Sequence, residues 1–148
     1  MGMLPILWSG FQKISVALIQ GFGIKTGAIA SSIAHDSHNL VVVGADDESM
    51  VRAASLVVES FGGIAVDDGH ISKVLQLPIA GLMSNKPIDY VADKHEELNR
   101  LARQMGSSLK SPMMTLSFMA LLVIPSLKLS DKGLFDSSSF TFVENRIE

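Results

Sequence analysis

Between two apolar stretches lies the polar run His35-Asp36-Ser37-His38-Asn39, which holds two of the four histidines. Two imidazoles and a carboxylate within four residues can hold a metal ion, or exchange protons near neutral pH. A metal site needs three or four converging ligands, and this spacing supplies two. Asp67, Asp68 and His70 are the only further donors that tempt, and nothing in the sequence brings them to the pair. The same run also suits a reversal in which Asp36, Ser37 and Asn39 bond the local backbone. His70 follows Asp67-Asp68-Gly69 in a turn and is expected to be solvated. His95 falls on the apolar stripe of a helix, where a packed, hydrogen-bonded side chain is expected. Gly21-Phe22-Gly23 with Gly27 lacks phosphate-loop spacing and leads into a strand. No GxSxG elbow is present, and the absence of cysteine excludes a thiol nucleophile, a disulfide scaffold and a cysteine metal site.

The elements that must position these residues follow from periodicity. Ile14–Gly21 alternates as a strand, and Ala28–Ala34 is a second strand of small residues over which another element should pack closely. Leu40-Val-Val-Val43, within a third strand over Asn39–Gly44, predicts burial on both faces. The His35–His38 link between the second and third strands suits a hairpin. A helix follows, capped by Asp46 or Asp47, with Met50, Ala53, Ala54, Val57 and Phe61 on one buried stripe and Gly62-Gly63 at its end. Ile64–Val66 and Ile71–Leu77 form a hairpin around Asp67-Asp68-Gly69. A second helix runs from near Pro87, capped by Ser84 or Asn85, to Gly106, with Ile88, Val91, His95, Leu98, Ala102 and Met105 inward. Phe140–Val143 is the last strand. The expected fold is α+β (mixed α/β): a layered sheet of about six strands with two main helices.

Composition narrows the function classes. The 148 residues fit one domain, 47% are hydrophobic and only 18% are charged, and the mean hydropathy is +0.34, which together exclude disorder. With 12 Lys and Arg against 15 Asp and Glu, the net charge is −3 and no basic cluster exists, so no nucleic-acid partner is expected. The longest uncharged apolar stretch, Ser111–Leu127, is bracketed by Pro112 and Pro125. That leaves about a dozen residues where a spanning helix needs about 20, so a buried core segment and no membrane partner are expected. Met1–Trp8 is apolar but has no preceding basic residue, which makes a poor signal peptide. A cytoplasmic location is the expectation.

Three stretches carry a family resemblance. Gln20–Asn39 (QGFGIKTGAIASSIAHDSHN), Leu77–Ser84 (LPIAGLMS), and Met114–Met119 (MTLSFM) with Ile124–Leu134 (IPSLKLSDKGL) resemble, in register, the C-terminal domain of microbial adenine deaminases. The match runs from about Ile14 to Asp136, so residues 14–148 are expected to form that domain and residues 1–13 an atypical entry segment. Where family members carry an Arg-His pair and a glycine before the first strand, this chain has Leu4-Pro-Ile-Leu-Trp-Ser-Gly-Phe-Gln-Lys13. His95 stands where the family usually has an aliphatic residue. The resemblance implies an amidohydrolase-superfamily enzyme of adenine catabolism and purine salvage, which hydrolyses adenine to hypoxanthine and ammonia. Its manganese or iron is held in a TIM-like barrel N-terminal to the matched region. No cofactor is therefore expected in this chain alone, and the partner expected is a barrel domain or subunit, with a homo-oligomer as a further expectation. The resemblance implies supporting catalytic roles for His35, Asp36 and His38 at the face meeting the barrel, and substrate contacts for Ser37 and Asn39. Two alternatives stay open: a non-enzymatic assembly or binding domain, favoured by the apolar excess, and a stand-alone metal-dependent hydrolase built on His35 and His38.

Overall fold

The computed structural model describes residues 4–10, 13–35 and 38–144. Asp36 and Ser37, both expected at the site, lie outside the described residues. In chain order the elements are β1 (Leu4–Gly10), β2 (Lys13–Ile19), β3 (Ala28–Ser31), β4 (Leu40–Gly44), α1 (Asp47–Glu59), β5 (Gly63–Asp67), β6 (Ser72–Gln76), α2 (Ile88–Gln104), α3 (Pro112–Ser117), β7 (Leu127–Ser130), β8 (Gly133–Asp136) and β9 (Thr141–Val143). Six strands form one sheet in the order β2-β1-β4-β3-β5-β6, and β7-β8-β9 form a second. Every pairing in both sheets is antiparallel. The fold is the α+β class expected, with six strands in the main sheet. The sixth strand is β1, inserted between β2 and β4; the last strand belongs to the smaller sheet, whose hairpin β7–β8 has no counterpart in the sequence reading.

The centre of the main sheet, β3, β4 and β5, is covered on both sides. Ala28 and Ala30 of β3, Val42 of β4 and Ala65 of β5 pack under Met50, Ala53 and Val57 of α1. The alternate residues Ile29, Val41, Val43, Ile64 and Val66 face Leu98, Leu101, Ala102, Met113 and Leu116 of α2 and α3. This period-two division explains why Leu40–Val43 is apolar without a break. The alanines let α1 approach closely, as their size predicts: a Cβ on Gly44 would lie 2.5 Å from the Met50 side chain.

Asp46 caps α1, its carboxylate accepting the Ser49 N–H at 2.8 Å. At the other end Gly62 N–H donates to Val57 O and Phe61 N–H to Val58 O, the paired bonds of a Schellman ending. Phe61 itself takes the left-handed position at φ 56°. It therefore leaves the helical stripe and is 85% exposed, contrary to the burial expected of it. Ile88, expected inward, is 78% exposed because it opens α2 instead of lying along its packed face. Pro87 occupies the N-cap of α2 without a side-chain cap, in place of Ser84 or Asn85. The Ser84 hydroxyl instead accepts the Lys86 N–H at 3.2 Å.

Candidate functional site

The link between β3 and β4 is held by backbone bonds at both histidines. His35 N–H donates to Ser117 O at 2.9 Å, tying the link to the end of α3, and His38 N–H donates to Ala34 O at 2.6 Å. His38 has φ 45°, a left-handed conformation that histidine tolerates better than most residues. The His35 and His38 rings meet edge to face at 5.5 Å, and His35 lies against Phe118 at 5.1 Å. Asn39 is half-buried beside them.

The described residues do not assemble a metal centre. Among the described residues no group of three or more His, Asp or Glu side chains could hold a metal ion. The extra donors weighed in the sequence are engaged elsewhere. Asp67 is buried and accepts from Arg52 Nε at 2.9 Å, Gly69 N–H at 3.1 Å and Ser72 Oγ at 2.5 Å; that carboxylate raises the pKa of Arg52. Asp68 accepts the His70 and Ile71 N–H groups, and those bonds lower its pKa. His70 is exposed at the turn, as expected. Among the described residues His35 and His38 thus supply two imidazoles and no third ligand joins them, so the described residues do not by themselves fit a resident metal.

What the fold does build is an apolar cleft of about 540 Å³. Its floor is Ser31, Ile64, Leu75 and Leu77 on the sheet, one wall is Val91, Ala92 and His95 of α2, and another is Met113, Met114 and Ser117 of α3. Leu82, Met83, Ser84, Lys86 and Ile88 complete the mouth, and His35 joins the lining from the β3–β4 link. The three motif stretches of the sequence, far apart along the chain, therefore converge: His35 from the first, Leu77–Ser84 from the second, Met114 and Ser117 from the third.

Local chemistry sets each wall. The segment after β6 reverses tightly, with Ile79 and Met83 paired and Ala80 and Gly81 at φ 56° and 72°. It docks through a backbone seam: a Cβ on Gly62 would fall 2.3 Å from Gly81 Cα. Ser32 closes the seam, its hydroxyl donating to Gly81 O at 2.5 Å and accepting the Gly63 N–H at 2.9 Å. α2 is fixed over β6 by Glu97, which pairs with Lys73 and, at 2.7 Å, with Lys94. Lys73 first and Lys94 second lower the Glu97 pKa to about 2. His95 is held as expected for a packed histidine, with Asn99 Nδ2 at 3.2 Å from its Nδ1. The sequence reading did not foresee the cleft; the one signal for it was the coincidence of His95 and the paired methionines on facing apolar segments.

The fold and cleft define an α+β domain whose family-bearing segments meet at one place. A family model described as the adenine deaminase C-terminal domain matches residues 9–141. Similar curated proteins are the adenine deaminases of Methanothermobacter thermautotrophicus, 50% identical over 139 residues (94% of this chain, 26% of the relative), and of Salinibacter ruber, 52% identical over 136 residues (90% and 25%). Another is that of Methanosarcina barkeri, 54% identical over 133 residues (90% and 24%). The chain belongs to the adenine deaminase C-terminal domain family. It spans about a quarter of the length of these relatives. Among the described residues no helix is long and apolar enough to cross a membrane.

Proposed function

We propose that the chain acts as the C-terminal domain of an adenine deaminase, in an enzyme that hydrolyses adenine to hypoxanthine and ammonia in the cytoplasm. The manganese or iron that the family implies would be held by the barrel part, a domain or subunit corresponding to the unmatched three-quarters of the relatives. There it would activate the attacking water. The residues of this chain bind and orient. The supporting observation is the convergence of the three motif stretches on His35 and the cleft, which supports reading this as the face that meets the barrel. In this reading His35, Asp36 and His38 orient substrate and the groups around it, with Ser37 and Asn39 as substrate contacts. The chain alone is inactive.

The test is adenine-to-hypoxanthine conversion by the chain alone, and by a chimera in which it replaces the C-terminal quarter of the Methanothermobacter relative. Turnover by the chimera and none by the chain is the expected result; turnover by the chain alone would refute the reading. In the active chimera, His38→Ala and Asp36→Ala should lower kcat, and unchanged turnover in both would remove the loop from the mechanism. A second reading, self-assembly, is favoured by the outer face of β2, where Ile14 and Val16 remain mostly exposed.

A further inference from the structure

We propose that the cleft is a binding site for a flat oxo-heteroaromatic base, a 6-oxopurine such as hypoxanthine, anchored by an N–H donor on His95. The proposal rests on the reading above for the purine; the wall chemistry selects the oxo form.

The donor follows from the hydrogen bonds behind it. Asn99 is 2% exposed and sits between His95 and α3. The backbone N–H of Met113 donates to Asn99 Oδ1 at 3.4 Å, which fixes the amide orientation, since the flipped amide would set donor against donor. Asn99 Nδ2 therefore faces His95 Nδ1, at 3.2 Å. An amide NH2 only donates, so Nδ1 accepts and the neutral ring carries its proton on Nε2. Among the described residues Nε2 has no partner, and the side chain lines the cleft.

The other polar groups leave the cleft rich in donors. The Ser31 hydroxyl is spent on the Ile33 backbone, and the proton of Ser117 on Met114 O, which leaves its oxygen able to accept. The Lys86 ammonium has no ion-pair partner among the described residues. With the neutral ring of His35 and the Ser84 hydroxyl, which accepts the Lys86 N–H and keeps its own proton to donate, His95, His35, Ser84 and Lys86 all offer donors to the cleft. A ring carbonyl satisfies such a lining; an exocyclic amine at the same position turns a donor against it. The thioethers of Met83, Met113 and Met114 suit contact with a flat ring. The volume falls within the range of about 300–1,000 Å³ typical of small-molecule sites.

The experiment uses the whole chain labelled at its methionine methyls, titrated with hypoxanthine and with adenine and followed by NMR. Hypoxanthine should move the Met83, Met113 and Met114 signals, leave Met50 under α1 in place, and bind about tenfold more tightly than adenine. His95→Leu should erase that preference and His95→Gln, which keeps a donor, should retain it. Signals unmoved by either purine, or equal affinities in the wild type and His95→Leu, would overturn the proposal. So would methyls that move only on fusion to the barrel part, without purine, because the cleft would then seat protein. In that case an active chimera leaves the family reading standing, whereas a chimera that cannot deaminate adenine removes the reading itself.

Discussion

Ser32 offers the most direct test of how the cleft is held. Its hydroxyl joins two segments that no regular pairing connects, donating to Gly81 O and accepting the Gly63 N–H. Ser32→Ala removes both bonds, each with a net contribution of about 1 kcal/mol. It also leaves the N–H of Gly63, a buried residue, without its partner, a cost of about 1–3 kcal/mol where water cannot reach. Ser32 is only half-buried, so water partly replaces the hydroxyl and the expected loss is about 2 kcal/mol. For a domain of this size that corresponds to a Tm lowered by about 4–8 °C. Denaturant unfolding gives the energy, and hydrogen exchange gives the location: the Gly63 amide should lose protection, with the 77–84 segment following. As a control, Ser55→Ala on the exposed side of α1 should change stability by less than about 0.5 kcal/mol. A Ser32→Ala protein as stable as the control, with Gly63 still protected, would refute the claim that this hydroxyl pins the wall of the cleft.

Phe61 holds the left-handed position that ends α1 while making little packing contact, so Phe61→Gly should raise stability by about 1 kcal/mol, measured by urea unfolding. Leu116 is fully buried where α3 meets the sheet, and Leu116→Ala should cost about 2–5 kcal/mol by the same measurement. The Glu97 pKa falls from 4.5 to about 2 on folding. Its contribution is therefore complete above pH 4.5 and lost as pH falls towards 2. Both lysine partners remain in contact with solvent, which limits that contribution to about 1 kcal/mol. The difference in stability between wild type and Glu97→Gln should accordingly close between pH 4.5 and 2; a difference unchanged over that window would contradict the pairing.

The fold was legible where a pattern had a local cause. Asp46 before an amphipathic run, Gly106 after one, and short, nearly unbroken apolar runs in β3, β4 and β5 each encode their element within a few residues. What could not be read was set by distant partners. β1 is a strand because β2 and β4 pair with it on either side, and the β7–β8 hairpin is short and only partly buried. Phe61 fitted the helical period, but the helix ended two residues before it. The site divided in the same way. The His35–His38 cluster stood out by composition, whereas the cleft beside it depends on the Ser32 hydroxyl and the Gly62–Gly81 contact, across gaps that no periodicity reports.

The apolar excess of the sequence now has two physical sources that can be separated. A sheet with helices on both faces needs two apolar surfaces per strand, and that demand accounts for the alanines and valines of β3, β4 and β5, all of them buried. It does not account for Met83, Ile88 and Met114, which are at least half exposed and surround the cleft mouth. Leaving such residues in water costs the isolated domain the transfer energy that covering them would recover. In the reading proposed here, that cover comes from the barrel, with the purine beneath it. Polar substitutions at these three rim positions should then leave the isolated chain as stable as before while weakening the chimera, whose loss of activity and of stability would appear together. Loss of stability in the isolated chain instead would show that the rim belongs to the core of the domain.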